Sequence, residues 1–216
     1  MKQETREYNP LLLEINTRVT LKTMSTTLSG VPDGYWESTL KKGIAMIWLM
    51  GVWRTSRKAV EKYAFTEDLL RTYHAALPGF RPDDVTGSPY AIDTYTVDPS
   101  IGTDEELAAL KDKLNRMGLK VILDFVPNHF SAESSLIASH PHIFLRGDEG
   151  DLIRNPGIYF RASGKSGGIF AHGKDPYFPA WQDTVQLDYF HEDTHRYMAE
   201  TLTNITRLCD GVRCDM

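Results

Sequence analysis

Residues 103–125 constrain the fold more than any other stretch of the chain. Thr103 followed three positions later by Glu106 is a capping box, which satisfies backbone N–H groups left orphaned at a helix start. Leu107, Leu110, Leu114 and Met117 then recur at helical spacing on one face, and Gly118 supplies the stop. Leu119 to Phe125 follows at once, a short apolar run of the kind buried on both faces of a parallel sheet. A capped helix feeding a buried strand is the crossover that parallel strands require. The pattern returns near residue 216: Met198, Leu202, Ile205 and Cys209 form a stripe, and 210–215 reads as a short strand.

The upstream half has the same alternation. Leu11 to Leu21 reads as a strand, Pro32 to Lys42 as a helix with proline near its start and Gly43 at its end, and Ile44 to Met50 as a buried strand. The expected class is therefore α/β with a parallel sheet, and alternation alone does not separate a closed barrel from an open sheet. Two connections are too long to be plain loops. Gly51 to Gly102 holds a helical patch at Ala59–Leu77. Phe130 to about Asp183 is rich in glycine, proline and aromatics, including Tyr177, Phe178 and Trp181, and reads as a small inserted domain. The expected divisions are 1–129, 130–183 and 184–216.

Composition removes several function classes. A formal charge of −5 and a pI near 5.8 leave no footprint for nucleic acid or an anionic membrane. No apolar stretch approaches the roughly 18 residues of a membrane span. Met1 to Arg6 has no apolar segment behind it, so no signal peptide is expected. Cys209 and Cys214, five apart across a strand, are expected on opposite sides and unpaired. Reduced cysteines without a leader give a cytoplasmic expectation.

Two short motifs carry chemistry. In Gly211-Val212-Arg213-Cys214-Asp215, Arg213 and Asp215 lie two apart on a strand and share a face, with Val212 and Cys214 turned toward the helices. An arginine beside an aspartate keeps the carboxylate ionised, as a nucleophile requires; a structural salt bridge at a strand end is the other reading. In Asp124-Phe125-Val126-Pro127-Asn128-His129, Asp124 ends an apolar strand where an unpaired carboxylate is costly, and Arg213 is its expected partner. Asn128 offers an amide oxygen suited to a hard cation, and His129 a hydrogen bond to a sugar hydroxyl. Packed turn residues are the alternative for each.

Taken in order and spacing, these motifs resemble the α-amylase family of glycoside hydrolases (family 13). Asp124–His129 is similar to the family's signature after barrel strand three, and Asp210–Asp215 to the one on strand four. Trp48–Trp53 resembles strand two, and Ser88–Asp93 with Asp98-Pro99 the stretch after it. The resemblance implies a (β/α)8 barrel of TIM type, of which the first four strands are present, with the small domain inserted after strand three. It implies Asp215 as nucleophile and Arg213 as its charge partner, with His129, Tyr90 and Asp124 binding the sugar. It also implies Asn128 and Asp188 as calcium ligands in calcium-dependent members, although Gln186 stands where the family often has an acid. No other cofactor is implied. The expected substrate is an oligosaccharide or α-glucan, cleaved at α-glucosidic bonds. A transglycosylase or sucrose-type enzyme, and a non-catalytic carbohydrate-binding relative, remain open. The family's general acid and third carboxylate are expected beyond residue 216, so this stretch alone is expected to be inactive.

Overall fold

The computed structural model describes residues 9–163 and 167–215, and the polar opening Met1–Arg6 lies outside the described residues. In chain order the elements are β1 (Leu11–Asn16), α1 (Thr17–Thr23), α2 (Asp33–Lys41), β2 (Ile44–Met50), β3 (Trp53–Thr55), α3 (Arg57–Tyr63), α4 (Glu67–Ala76), β4 (Ile92–Val97), α5 (Asp104–Met117) and β5 (Lys120–Phe125). They continue with β6 (His129–Ser131), α6 (Leu136–Ser139), β7 (Arg146–Gly147), α7 (Glu149–Arg154), β8 (Tyr159–Arg161), β9 (Ile169–Ala171), β10 (Thr184–Gln186), α8 (Glu192–Ile205) and β11 (Gly211–Cys214).

The central layer is a four-stranded parallel sheet in the order β1-β2-β5-β11, so strands add in the order of the chain. Its two faces differ. Ile15, Ile47, Leu49, Val121 and Leu123 point one way and are fully or almost fully buried. Against them pack helices whose apolar stripes were legible: Trp36 on α2, Leu107, Leu110 and Leu114 on α5, and Met198 and Ile205 on α8. Burying each of the three leucines of α5 is worth about 1.5–3 kcal/mol. Its capping box forms as expected, with Glu106 N donating to Thr103 Oγ1 at 3.2 Å and Thr103 N donating to Glu106 Oε2 at 2.9 Å. Gly118 closes the helix in the left-handed region, φ +94°. The opposite face carries Trp48, Ile122, Asp124 and Arg213, which alternation places together.

The expected first strand is corrected. Only Leu11–Asn16 is extended; Thr17–Thr23 is helical. Asn16 is the N-cap, its Oδ1 accepting from Val19 N at 3.3 Å. The β-branched residues Thr17, Val19, Thr20 and Thr23 favour a strand locally, but Leu21 gains full burial from the helix and Arg18 gains four partners. Its guanidinium donates to Gly51 O, Trp53 O and Thr55 Oγ1 and pairs with Asp98 at 3.1 Å. Tertiary contacts override propensity here.

The first long connection contains α3 and α4, where a single helical patch was expected, and an antiparallel pair of β3 and β4. The second contains a three-stranded antiparallel sheet, β7-β9-β8, around Phe144, Phe160 and Phe170. It is closed at its neck by β6 and β10, which pair antiparallel with His129 opposite Gln186. Both cysteines are free: Cys209 is buried, and Cys214, expected toward the helices, is exposed because no described element covers it. Among the described residues no helix is long and apolar enough to cross a membrane.

Candidate active site

The registers of the parallel strands bring the two motifs together. Arg213 pairs with Asp124 across β11 and β5, and Trp48 with Ile122 across β2 and β5. Asp124 is completely buried, yet its expected partner is not the one it uses. Its Oδ1 accepts from Trp48 Nε1 at 2.9 Å and its Oδ2 from Gly51 N at 2.8 Å. Arg213 acts on it only through space. The reason is local: Gly51, at φ +77°, turns the chain after β2 so that its amide points at the carboxylate, and a Cβ there would meet Pro89 Cβ at 2.9 Å. Burial pushes the Asp124 pKa up, with the Gly51 amide, the Trp48 indole and Arg213 opposing it.

Arg213 pairs instead with Asp215, Nη1 to Oδ1. Its guanidinium lies between two rings, 5.1 Å from the centre of Trp48 and 5.2 Å from that of Tyr90. Burial opposes the cation, but the hydrogen bond and charge of Asp215 outweigh it and its pKa is raised. Asp215 N donates to Phe125 O at 2.9 Å, which extends the parallel ladder to the candidate nucleophile. Tyr90 is half-buried beside these groups, and burial, with Asp124 next, raises its phenol pKa.

His129 is 4% exposed, with its ring centre 5.3 Å from that of Trp181. Burial pushes its pKa down to about 4, against the opposing charge of Asp215 and a hydrogen bond to the Tyr90 carbonyl. It is therefore a neutral imidazole at neutral pH, suited to hydrogen bonding without charge. The sign of the resulting pH dependence follows. The unfolded chain takes up a proton near pH 6.5 that the folded chain refuses until about pH 4. Stability from this residue is complete above pH 6.5 and is lost as pH falls to about 4, roughly 3 kcal/mol in all. His172, also held neutral chiefly by burial, acts in the same direction, so wild type must be compared with His129→Gln. Urea unfolding at pH 7 and pH 4.5 should show the variant losing less stability on acidification; equal losses would remove the buried neutral histidine.

The expected cation ligands do not assemble. Asn128 Oδ1 and Asn128 O both accept from Gln186 Nε2, at 2.9 Å each. The Asp188 carboxylate is turned back on its own segment, accepting from Phe190 N at 3.0 Å. Among the described residues no group of three His, Cys, Asp or Glu side chains is placed to hold a metal. A hard cation takes six to eight oxygens with carboxylates among them, so the residues present do not fit calcium.

Sequence reasoning missed three supporting residues. Trp48 both donates to Asp124 and faces Arg213; its parity with Ile122 along β2 and β5 was the available signal. Trp53 Nε1 donates to Asp124 O at 2.7 Å, and Tyr95 Oη accepts from Val126 N at 2.8 Å, together fixing the backbone on either side of Phe125. Neither is signalled locally, since both reach in from β3 and β4.

Comparison with known proteins points one way. Residues 41–154 match the family model for the α-amylase catalytic domain. A cyclomaltodextrin glucanotransferase of Geobacillus stearothermophilus is 28% identical over 143 residues, covering 62% of this chain and 20% of that protein. Maltase 1 of Drosophila virilis is 53% identical over 45 residues, 20% of this chain and 7% of that one. An α-amylase structure from Lactobacillus plantarum superposes with a TM-score of 0.62 at 24% identity, over 95% of this chain and 38% of its own. The chain thus spans a fifth or less of these curated relatives.

Proposed function

Because the chain belongs to the α-amylase catalytic-domain family, we propose that it carries the nucleophile half of a retaining glycosidase acting on α-glucosidic bonds. In this reading the four parallel strands are the first four of an eight-stranded barrel whose interior is the face bearing Trp48, Asp124 and Arg213. Residues 1–129 supply strands one to three, 130–183 an inserted domain, and 184–216 the third helix and fourth strand. Asp215 attacks the anomeric carbon. Arg213 holds it ionised and aimed; Asp124, His129 and Tyr90 line the pocket for the sugar. The observation that carries the reading is the Arg213–Asp215 pair at a parallel strand end, clamped between two aromatic rings beside a neutral histidine.

Retention needs a second carboxyl roughly 5–5.5 Å from the first to protonate the leaving oxygen. Among the described residues Asp124 shares the electrostatic environment of Asp215 but has both oxygens engaged by donors, and Glu14, in register with Trp48 on β1, is the other carboxylate whose charge acts on Tyr90. We assign the acid to residues outside 1–216. The glycosyl-enzyme formed on Asp215 is then released by water, or by a sugar hydroxyl in a transferase. The similarity to a glucanotransferase supports keeping transfer as the second reading.

The test is stereochemical. The protein carrying this chain, given an aryl α-glucoside or maltooligosaccharides, should release the α-anomer first, as followed by proton NMR before mutarotation. A β-anomer as first product would overturn the double-displacement assignment. An added alcohol that is glucosylated in competition with water would select the transfer reading.

A further inference from the structure

The neck of the insert, where β10 returns to pair with β6, is pinned by one side chain. Gln186 Nε2 lies 2.9 Å from Asn128 O, 2.9 Å from Asn128 Oδ1 and 3.4 Å from Leu187 O. Its Oε1 accepts from Lys174 N at 3.0 Å, so the amide cannot turn over without losing both sets of bonds. Oxygens converging from two chain segments on one point are the way proteins prepare a seat for a hard cation. Here the point is filled by an N–H2 group, which brings two hydrogens to the nearest oxygens without a charge to be balanced.

We infer that the Gln186 side-chain amide takes the place of a cation as the bridge between the turn carrying His129 and the strand that closes the insert, and that this protein keeps its site geometry without bound calcium. The bridge has a direction. With Asn128 Oδ1 engaged by Gln186, its Nδ2 is left to donate to His129 Nδ1 at 3.3 Å, which puts the proton of the neutral ring on Nε2. Gln186 is thus a positioning residue: it sets the orientation of an amide, which in turn selects the tautomer of the buried histidine. A metal in that seat would coordinate Asn128 Oδ1 and do the same service, and the glutamine makes it redundant.

The experiment reads thermal unfolding, so its outcome is independent of any catalytic assignment. Wild-type protein should melt at the same temperature in millimolar calcium chloride as in excess EDTA. Gln186→Glu puts a carboxylate against the same oxygens. It should melt lower in EDTA and regain about 5 °C with calcium, as ligand linkage to the folded state requires. Gln186→Met keeps the length and removes the bonds; it should melt lower and ignore calcium. A saturable calcium-induced rise in wild type, with calcium bound on titration calorimetry, overturns the inference even if neither variant folds. So does a Gln186→Glu protein whose melting does not respond to calcium.

Discussion

Asp215→Asn in the protein that carries this chain should lower kcat by about 10⁴-fold or more, some 5.5 kcal/mol in the barrier, with KM little changed. The amide nitrogen and oxygen fill the space of the carboxylate, so the ring clamp of Trp48 and Tyr90 on Arg213 keeps its shape. In the proposed function, what is lost is the anionic oxygen that forms a bond to the anomeric carbon. Asp215 sits where the β11 ladder ends, bonded through its amide to Phe125 O, a bond the substitution keeps; what it gives up is the charge of the part-exposed pair with Arg213, so the melting temperature should stay close to wild type. Steady-state kinetics on maltooligosaccharides, with a thermal melt run in parallel, decides the matter. A variant that melts like wild type and keeps a tenth of its turnover would place the nucleophile elsewhere.

The largest effect on stability is expected at Asp124. In Asp124→Ala the buried Gly51 amide and the partly buried Trp48 indole both lose their acceptor, at a position where Asp124 itself is fully buried. Charge-assisted bonds of this kind are worth about 1.5–3 kcal/mol each, and relief of the buried carboxylate returns part of that. The net cost should be about 3 kcal/mol, a fall in melting temperature on the order of 10 °C. Asp124→Asn, which keeps one acceptor and turns a donor toward the other partner, should fall between. Calorimetry of the three proteins tests the order. An Asp124→Ala protein as stable as wild type would mean that the two donors find water, and that the buried network described above does not hold the end of β5.

Helices and central strands were legible because their signals are local. The Thr103–Glu106 box, the leucine stripe of α5 and Gly118 each name a boundary by chemistry acting over a few residues. The failure at Thr17–Thr23 has the opposite cause. Its β-branched residues favour extension, and only the distant partners of Arg18, at Gly51, Trp53, Thr55 and Asp98, make a helix the better choice. Of the site, Asp124, His129, Tyr90, Arg213 and Asp215 were named beforehand, and the structure brings them into one neighbourhood. Their partners were not all legible. Arg213 was expected to answer Asp124, because opposite charges on adjacent strands invite pairing, but two neutral donors reach that carboxylate first. An indole on a neighbouring strand and the amide of a left-handed glycine leave no mark near Asp124 in the sequence.

The antiparallel neck of β6 and β10 has a consequence for how the chain finds its fold. Placing β11 beside β5 means closing the whole stretch from residue 126 to residue 210, and the entropy lost grows with the logarithm of that length. Pairing Ser131 with Thr184 and His129 with Gln186 takes most of that stretch out of the loop beforehand, and the aromatic cluster of Phe130, Phe144 and Phe170 offsets the cost of doing so. The remaining closure is a few tens of residues shorter, and the search for the last strand is eased by on the order of 1 kcal/mol. A connection that looks like an interruption of the sheet is, in kinetic terms, a splint that brings Arg213 and Asp215 within reach of the strand they must join.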